Sequence, residues 1–124
     1  MKIATFVRKY NGRTLEDWGA YPSDEFKQFA RDMKSTVKEI CKEENAELVG
    51  FSVGHYYVSG FVVKNGNHVY FSYDPRWKGI DFSAENCRDG ILVRTAKHEK
   101  DFTGGMNNFC NIYRFSEMLN RLTK

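Results

Sequence analysis

The chain has 124 residues, of which 41% are hydrophobic and 15% aromatic, and its 19 basic and 16 acidic residues give a net charge of +3. This length and composition fit one α+β domain, residues 1–124, and argue against disorder. No apolar run approaches the roughly 18 residues of a membrane helix, and the N-terminus lacks the apolar segment of a signal peptide. We therefore expect a cytoplasmic protein without a membrane partner, too weakly basic to indicate a dedicated DNA-binding domain.

The first segment, residues 2–9, alternates in a way that is typical of a β-strand. Ile3, Thr5 and Val7 fall on one side, and Asn11-Gly12 follows as a turn signal. The sequence therefore predicts an N-terminal strand.

A long helix is predicted over residues 24–44. Ser23 is a good N-cap, and acidic residues follow it in the first turn, where the helix dipole favours them. The apolar positions recur at helical spacing and form one stripe. They are Phe26, Phe29, Ala30, Met33, Val37, Ile40 and Cys41.

The remaining faces of this helix sort by the sign of their charges. A helix tuned only for its own stability would alternate Glu and Lys at i and i+4. Two interpretations stay open: a solvated face, or a basic ridge for a phosphate backbone or an acidic partner. The cations in one arc are Lys27, Arg31, Lys34, Lys38 and Lys42, and the acids in another are Glu25, Asp32, Glu39 and Glu43.

Residues 47–53 predict a strand with Val49, Phe51 and Val53 on one face, and a β-hairpin follows. Asn65-Gly66 indicates a two-residue type I′ turn, because both central positions then need positive φ. Folding about this turn pairs Val63 with His68, Val62 with Val69, Phe61 with Tyr70, Gly60 with Phe71 and Val58 with Tyr73.

The two faces of the hairpin differ in character. One is a core face on which Phe71 lies over Gly60. The other is so aromatic that we expect the long helix or a partner to cover it. The core face carries Val58, Val62, Val69, Phe71 and Tyr73, and the opposite face carries Tyr57, Phe61, Val63, His68 and Tyr70.

Residues 75–90 form a long irregular stretch that contains Arg76, Trp77 and Lys78. An aromatic side chain between two cations can stack on a base or anchor a protein interface. The alternative is that Trp77 folds back and caps the end of the sheet.

The C-terminal third predicts a strand at 91–96, a flexible turn at Gly104-Gly105 and a last strand with Asn108, Cys110 and Ile112 on one side. A closing helix would begin at Ser116 as its cap. The predicted fold is thus an antiparallel sheet of five to six strands packed against one long helix, with a short C-terminal helix. The side chains of that last helix that point inward are predicted to be Phe115, Met118, Leu119 and Leu122.

No catalytic motif is present, so we expect a protein that is not an enzyme. A nucleophilic Cys87 beside a histidine is the weak alternative to an ordinary loop thiol. No cofactor is expected, except that a structural zinc could be assembled from dispersed ligands. The candidate zinc ligands are His55, His68, His98, Cys87 and Cys110.

A second basic cluster begins in the strand at 91–96 and is interrupted by Glu99 and Asp101: Arg94, Lys97, His98 and Lys100. With the helix ridge and the segment around Trp77, it supplies the cations and aromatics that binding of nucleic acid requires. The predicted partner-binding residues are Lys27, Arg31, Lys34, Lys38, Arg76, Trp77, Lys78, Arg94, Lys97 and Lys100.

Residues 50–112 resemble small proteins of phages and conjugative elements of Gram-positive bacteria, with an "SGF…VYFS…D-R" hairpin followed by "RTAK…KD-TGG-N". This resemblance implies an inhibitor of a bacterial defence effector, such as a CRISPR nuclease. The alternative is a nucleic-acid-binding accessory protein of the element. The matching positions are Ser59, Gly60, Phe61, Asp74, Arg76, Arg94, Thr95, Lys97, Lys100, Asp101, Thr103, Gly104, Gly105 and Asn107.

Overall fold

A computed structural model describes residues 1–13, 23–54, 57–74 and 90–124. The predicted α+β class is confirmed, with five antiparallel strands in one sheet of order β1-β2-β3-β4-β5. In the part of the chain described, no helix has the length and apolar character needed to cross a bilayer. The elements are α1 (Ile3–Tyr10), α2 (Asp24–Glu43), β1 (Glu47–Val53), β2 (Val58–Lys64), β3 (Asn67–Tyr73), β4 (Ile91–Ala96), β5 (Asn108–Cys110), a 3₁₀ turn (Ile112–Arg114) and α3 (Phe115–Leu122).

The N-terminal segment is a helix, so the predicted strand is wrong. Its largest side chains, Phe6 and Tyr10, are four residues apart and fully buried, while Ile3 and Val7 pack against the same core. Both rings contact Phe29 of α2, at centroid distances of 5.9 Å and 5.3 Å. The segment carries both an alternating and a helical pattern, and packing against α2 selects the helical one.

Helix α2 is confirmed almost to its ends. The Ser23 hydroxyl accepts a hydrogen bond from the Phe26 amide at 3.2 Å, as expected of an N-cap. All seven positions of the predicted stripe are buried. They pack on the core face of the sheet, where the Phe29 ring meets the Tyr73 ring edge-on at 5.7 Å.

The β2–β3 hairpin has the predicted register at every pair. Asn65 and Gly66 have φ angles of 52° and 76°, as a type I′ turn requires. The Phe71 ring lies against Gly60, where an added Cβ would sit 2.7 Å from it. Only glycine therefore fits at position 60.

Strand β1 does not keep the predicted alternation. A β-bulge between Leu48 and Gly50 shifts its register with β2, so Leu48 and Phe51 turn toward the core. Val53, predicted to share the face of Phe51, is 43% exposed at the end of the strand.

The C-terminal segment differs from prediction in its caps. β5 ends at Cys110, and Ile112 begins a 3₁₀ turn whose cap is Asn111, which accepts from the Arg114 amide at 3.1 Å. Ser116 lies inside α3 and is not its cap, because the preceding turn runs directly into the helix. The inward side chains of α3 are as predicted: two are buried and two pack against the core. They are Phe115, Leu119, Met118 and Leu122.

Candidate binding site

The N-terminal segment supplies a cation to every acidic residue in the arc of α2 predicted from the sequence. This pairing explains why the acidic charges of α2 are gathered on one side, since that side faces α1. The four carboxylates are therefore engaged within the fold. The ion pairs, by nitrogen–oxygen distance, are Lys2 with Glu39 (2.5 Å) and Glu43 (3.7 Å), Lys9 with Asp32 (2.7 Å), and Arg13 with Glu25 (3.5 Å).

Asp32 is the centre of this contact and is only 6% exposed. Its carboxylate accepts hydrogen bonds from Lys9, from the Tyr10 hydroxyl at 2.6 Å and from the Gln28 amide at 3.0 Å. Burial acts to raise the pKa of Asp32, but these three hydrogen bonds outweigh it and the pKa is lowered. Burial and the bond to Asp32 raise the pKa of Tyr10. Asp32 is thus part of a structural network and not of a solvated face.

Another side of α2 carries the cations predicted from the sequence, which we call the α2 cationic ridge: Lys27, Arg31, Lys34, Lys38 and Lys42. None of the five forms an ion pair with any residue that the structure describes. Arg31 donates to the Gln28 side chain at 2.8 Å, and the Lys34 ammonium lies 5.8 Å from the Phe51 ring. At 1.5 Å per residue, the ridge runs for about 22 Å.

The second predicted basic cluster differs from the α2 cationic ridge, because the Arg94 side chain makes contacts within the fold. Its guanidinium stacks 4.6 Å from the centre of the Tyr70 ring. It also donates to the Asn107 side chain and to the Phe102 carbonyl. Arg94 therefore holds the loop between β4 and β5 onto the sheet, whereas the sequence predicted that Arg94 binds a partner.

The residues around Gly104-Gly105 build that same loop. Asp101 accepts hydrogen bonds from the Lys97 amide (2.9 Å) and the Thr103 amide (3.1 Å), and these bonds lower its pKa. Gly105 has a φ of 63°, and an added Cβ would lie 2.5 Å from the Thr95 hydroxyl. Most of the "RTAK…KD-TGG-N" pattern thus has a structural role, whereas the Lys97 and Lys100 side chains are exposed.

This loop, and not α2, covers the aromatic face of the hairpin. Phe102 meets Phe61 and Tyr70 edge-on at centroid distances of 5.3 Å and 5.8 Å. Phe102 itself remains 54% exposed. The loop and α2 lie on opposite faces of the sheet, so the two basic clusters do not form one surface.

The remaining predictions concern the segment around Trp77, a zinc site and a nucleophilic cysteine. Arg76, Trp77, Lys78, His55 and Cys87 lie outside the described residues. Within them, no group of three or more His, Cys, Asp or Glu side chains is placed to hold a metal ion. The Cys41 and Cys110 thiols are buried, and burial raises their pKa values to about 11 and about 12. Neither of these two thiols is prepared for nucleophilic chemistry.

Comparison with known proteins does not assign the chain to a family. No family model, curated protein or solved structure matches it.

Proposed function

We propose that this protein is a phage or mobile-element inhibitor that acts by binding a bacterial defence effector, such as a CRISPR nuclease, and without catalysis. The contact surface in this proposal is the α2 cationic ridge. One observation carries this choice of surface: the N-terminal segment, residues 2–13, pairs with the acids of α2, while the ridge cations from Arg31 to Lys42 are exposed. The ridge places Lys34 four residues before Lys38, an arrangement that costs helix stability. A binding role accounts for that cost.

The ridge fits an acidic protein surface. Complementary charge accelerates encounter and rejects wrong partners, even where it adds little affinity. An inhibitor with this ridge would dock on an acidic domain of the effector. It would not imitate the phosphate backbone that the effector binds.

The second candidate, a nucleic-acid-binding accessory protein, draws on the same ridge. A row of five cations can meet several phosphates. Recognition of single strands, however, combines such a row with exposed aromatics on the same surface. Among the described residues, the exposed Phe102 lies on the sheet face away from α2, and the Phe51 ring beside Lys34 is half-buried, which favours the protein partner.

Two measurements on the purified protein test the proposal: co-elution with a candidate defence nuclease, and affinity for an oligonucleotide at near-physiological salt. We expect co-elution and only weak oligonucleotide retention. Lys34→Glu combined with Lys38→Glu should abolish co-elution, because it reverses the middle of the ridge. The matched control, Lys97→Glu combined with Lys124→Glu, makes the same charge change away from α2 and should behave as wild type.

Sub-micromolar oligonucleotide binding without co-elution would overturn the inhibitor proposal and support the second candidate. A log–log salt slope near the number of phosphates contacted would then be expected, and the Lys34/Lys38 reversal should flatten it.

A further inference from the structure

In the part of the chain that the structure describes, one edge of the sheet is long and has no partner strand. β1 and β5 are the two edge strands, and β5 has only three residues, whereas β1 has seven. Among the described residues, no strand pairs with the outer edge of β1. Short edge strands resist further pairing, while a longer one presents backbone donors and acceptors to any strand that approaches.

The bulge in β1 leaves part of this edge regular. The shift lies between Leu48 and Gly50, and the four residues that follow pair with β2 in unbroken register, from Gly50 with Phe61 to Val53 with Val58. Ser52 and Val53 are exposed. Residues 50–53 therefore form an edge of regular register that is exposed at its last two residues.

The face of this edge toward α2 selects acidic side chains. Phe51 points to that side, and the Lys34 ammonium lies 5.8 Å from its ring. A strand added to β1 would lie about 4.8 Å away, so the side chain beside Phe51 would come next to Lys34. Arg31 and Lys38 lie one turn to either side of Lys34 on the same ridge.

The opposite face of the edge selects apolar side chains. A groove of about 410 Å³ runs along residues 49–52 and 59–61, and Phe102 lines it from the loop above. Gly50 contributes no side chain, and Phe61 forms the apolar wall beside it. Glu99 and Lys100 also line the groove. Because their charges are opposite, they favour neither an acidic nor a basic side chain in the groove.

We propose that β1 accepts a strand from the protein partner, and that this strand alternates acidic with apolar residues. Alternate side chains of an added strand point to opposite faces, so one set would meet the α2 cationic ridge and the other the groove under Phe102. This inference rests on the proposed function, because it uses the same ridge. It adds the form in which the partner binds: an extended segment paired by backbone hydrogen bonds.

The probe is a fluorescein-labelled ten-residue peptide that alternates Glu and Val, with an alternating Lys and Val peptide as its control. Fluorescence anisotropy measures affinity, and amide hydrogen exchange reports on Phe51 and Val53, whose N–H groups point away from β2 in this register. We expect the Glu-Val peptide to bind at least tenfold more tightly than the Lys-Val peptide and to slow exchange at those amides.

Two variants test the two faces of the β1 edge separately. Lys34→Glu with Lys38→Glu should weaken binding of the Glu-Val peptide at least tenfold. Gly50→Val should also weaken it, because its Cβ would fill the groove, where the nearest side-chain atom is 3.7 Å away on Phe61. Unchanged thermal unfolding of the Gly50 variant would show that the groove, and not the fold, was altered.

Equal binding of both peptides, or binding without protection of the Phe51 and Val53 amides, would overturn the strand addition. The two proposals fail separately. If the effector co-elutes but leaves exchange at β1 unchanged, the inhibitor proposal stands and the strand addition falls. If the Glu-Val peptide protects β1 but no effector co-elutes, the strand site stands and the inhibitor proposal falls.

Discussion

The two basic clusters of this chain look alike in the sequence but differ in the structure. On α2, the acids are paired with cations from the N-terminal segment, so the ridge cations remain available. Around β4, the central cation Arg94 is stacked on Tyr70 and bonded to the loop that follows. A cluster of cations therefore becomes a candidate interface only when the fold has not already used its charges.

The largest expected effect tests the packing that gives α2 its orientation. Met33→Asp places an unpaired charge in the core and should lower the free energy of unfolding by about 2–5 kcal/mol. Chemical denaturation measures this change, with Lys42→Asp on the exposed side as control. Equal stability of the Met33 variant and wild type would mean that the stripe is not the packed face.

The next effect tests the structural role assigned to Arg94. Arg94→Ala should lower the free energy of unfolding by about 1–3 kcal/mol, because it removes a stacked guanidinium and its charge-assisted hydrogen bonds. Amide exchange in residues 97–107 should rise as well. Lys97→Ala should stay within about 0.5 kcal/mol of wild type. Equal changes in stability and exchange for both variants would show that Arg94 has no special structural role.

The Asp32 network predicts an acid-dependent loss of stability. The folded pKa of Asp32 is lowered, so its contribution is present above the ordinary value of about 3.9 and is lost as pH falls through the folded pKa. Asp32→Asn should therefore lose less stability between about pH 4 and pH 2 than wild type does. Parallel pH profiles in urea denaturation would show that α1 is not held through Asp32.

The smallest effect concerns repulsion along the ridge. Lys38→Gln removes the charge repulsion that Lys38 exerts on Lys34 and Lys42. It should therefore raise the free energy of unfolding by about 0.2–0.5 kcal/mol at low salt. The gain should shrink at high salt, because exposed charges are then screened. A loss of stability in this variant would indicate that Lys38 serves the fold.

Local signals in the sequence predicted α2 and the hairpin. Asn65-Gly66 fixes the turn and thereby the register, and the apolar stripe after Ser23 fixes the helix. The strand predicted over residues 2–9 is wrong because the pattern there satisfies two periods, and contact with Phe29 decides between them. Local residues specify structure well when only one periodicity fits them.

The sequence predicted only part of the candidate site. The sorted charges of α2 could be seen there, but their cause could not. Lys9 and Asp32 are 23 positions apart and meet only when α1 packs on α2. The role of Arg94 likewise depends on a loop that folds back over Tyr70. Pairings that arise from tertiary contact lie beyond what spacing along the chain can indicate.

The most direct test of the central claim is the affinity for a candidate defence effector at two ionic strengths. Wild type and the Lys97/Lys124 reversal should bind equally and weaken together as salt increases. The Lys34/Lys38 reversal should bind at least tenfold more weakly at low salt and respond little to salt. Equal affinity and equal salt dependence for all three proteins would contradict the claim that the α2 cationic ridge is the contact surface.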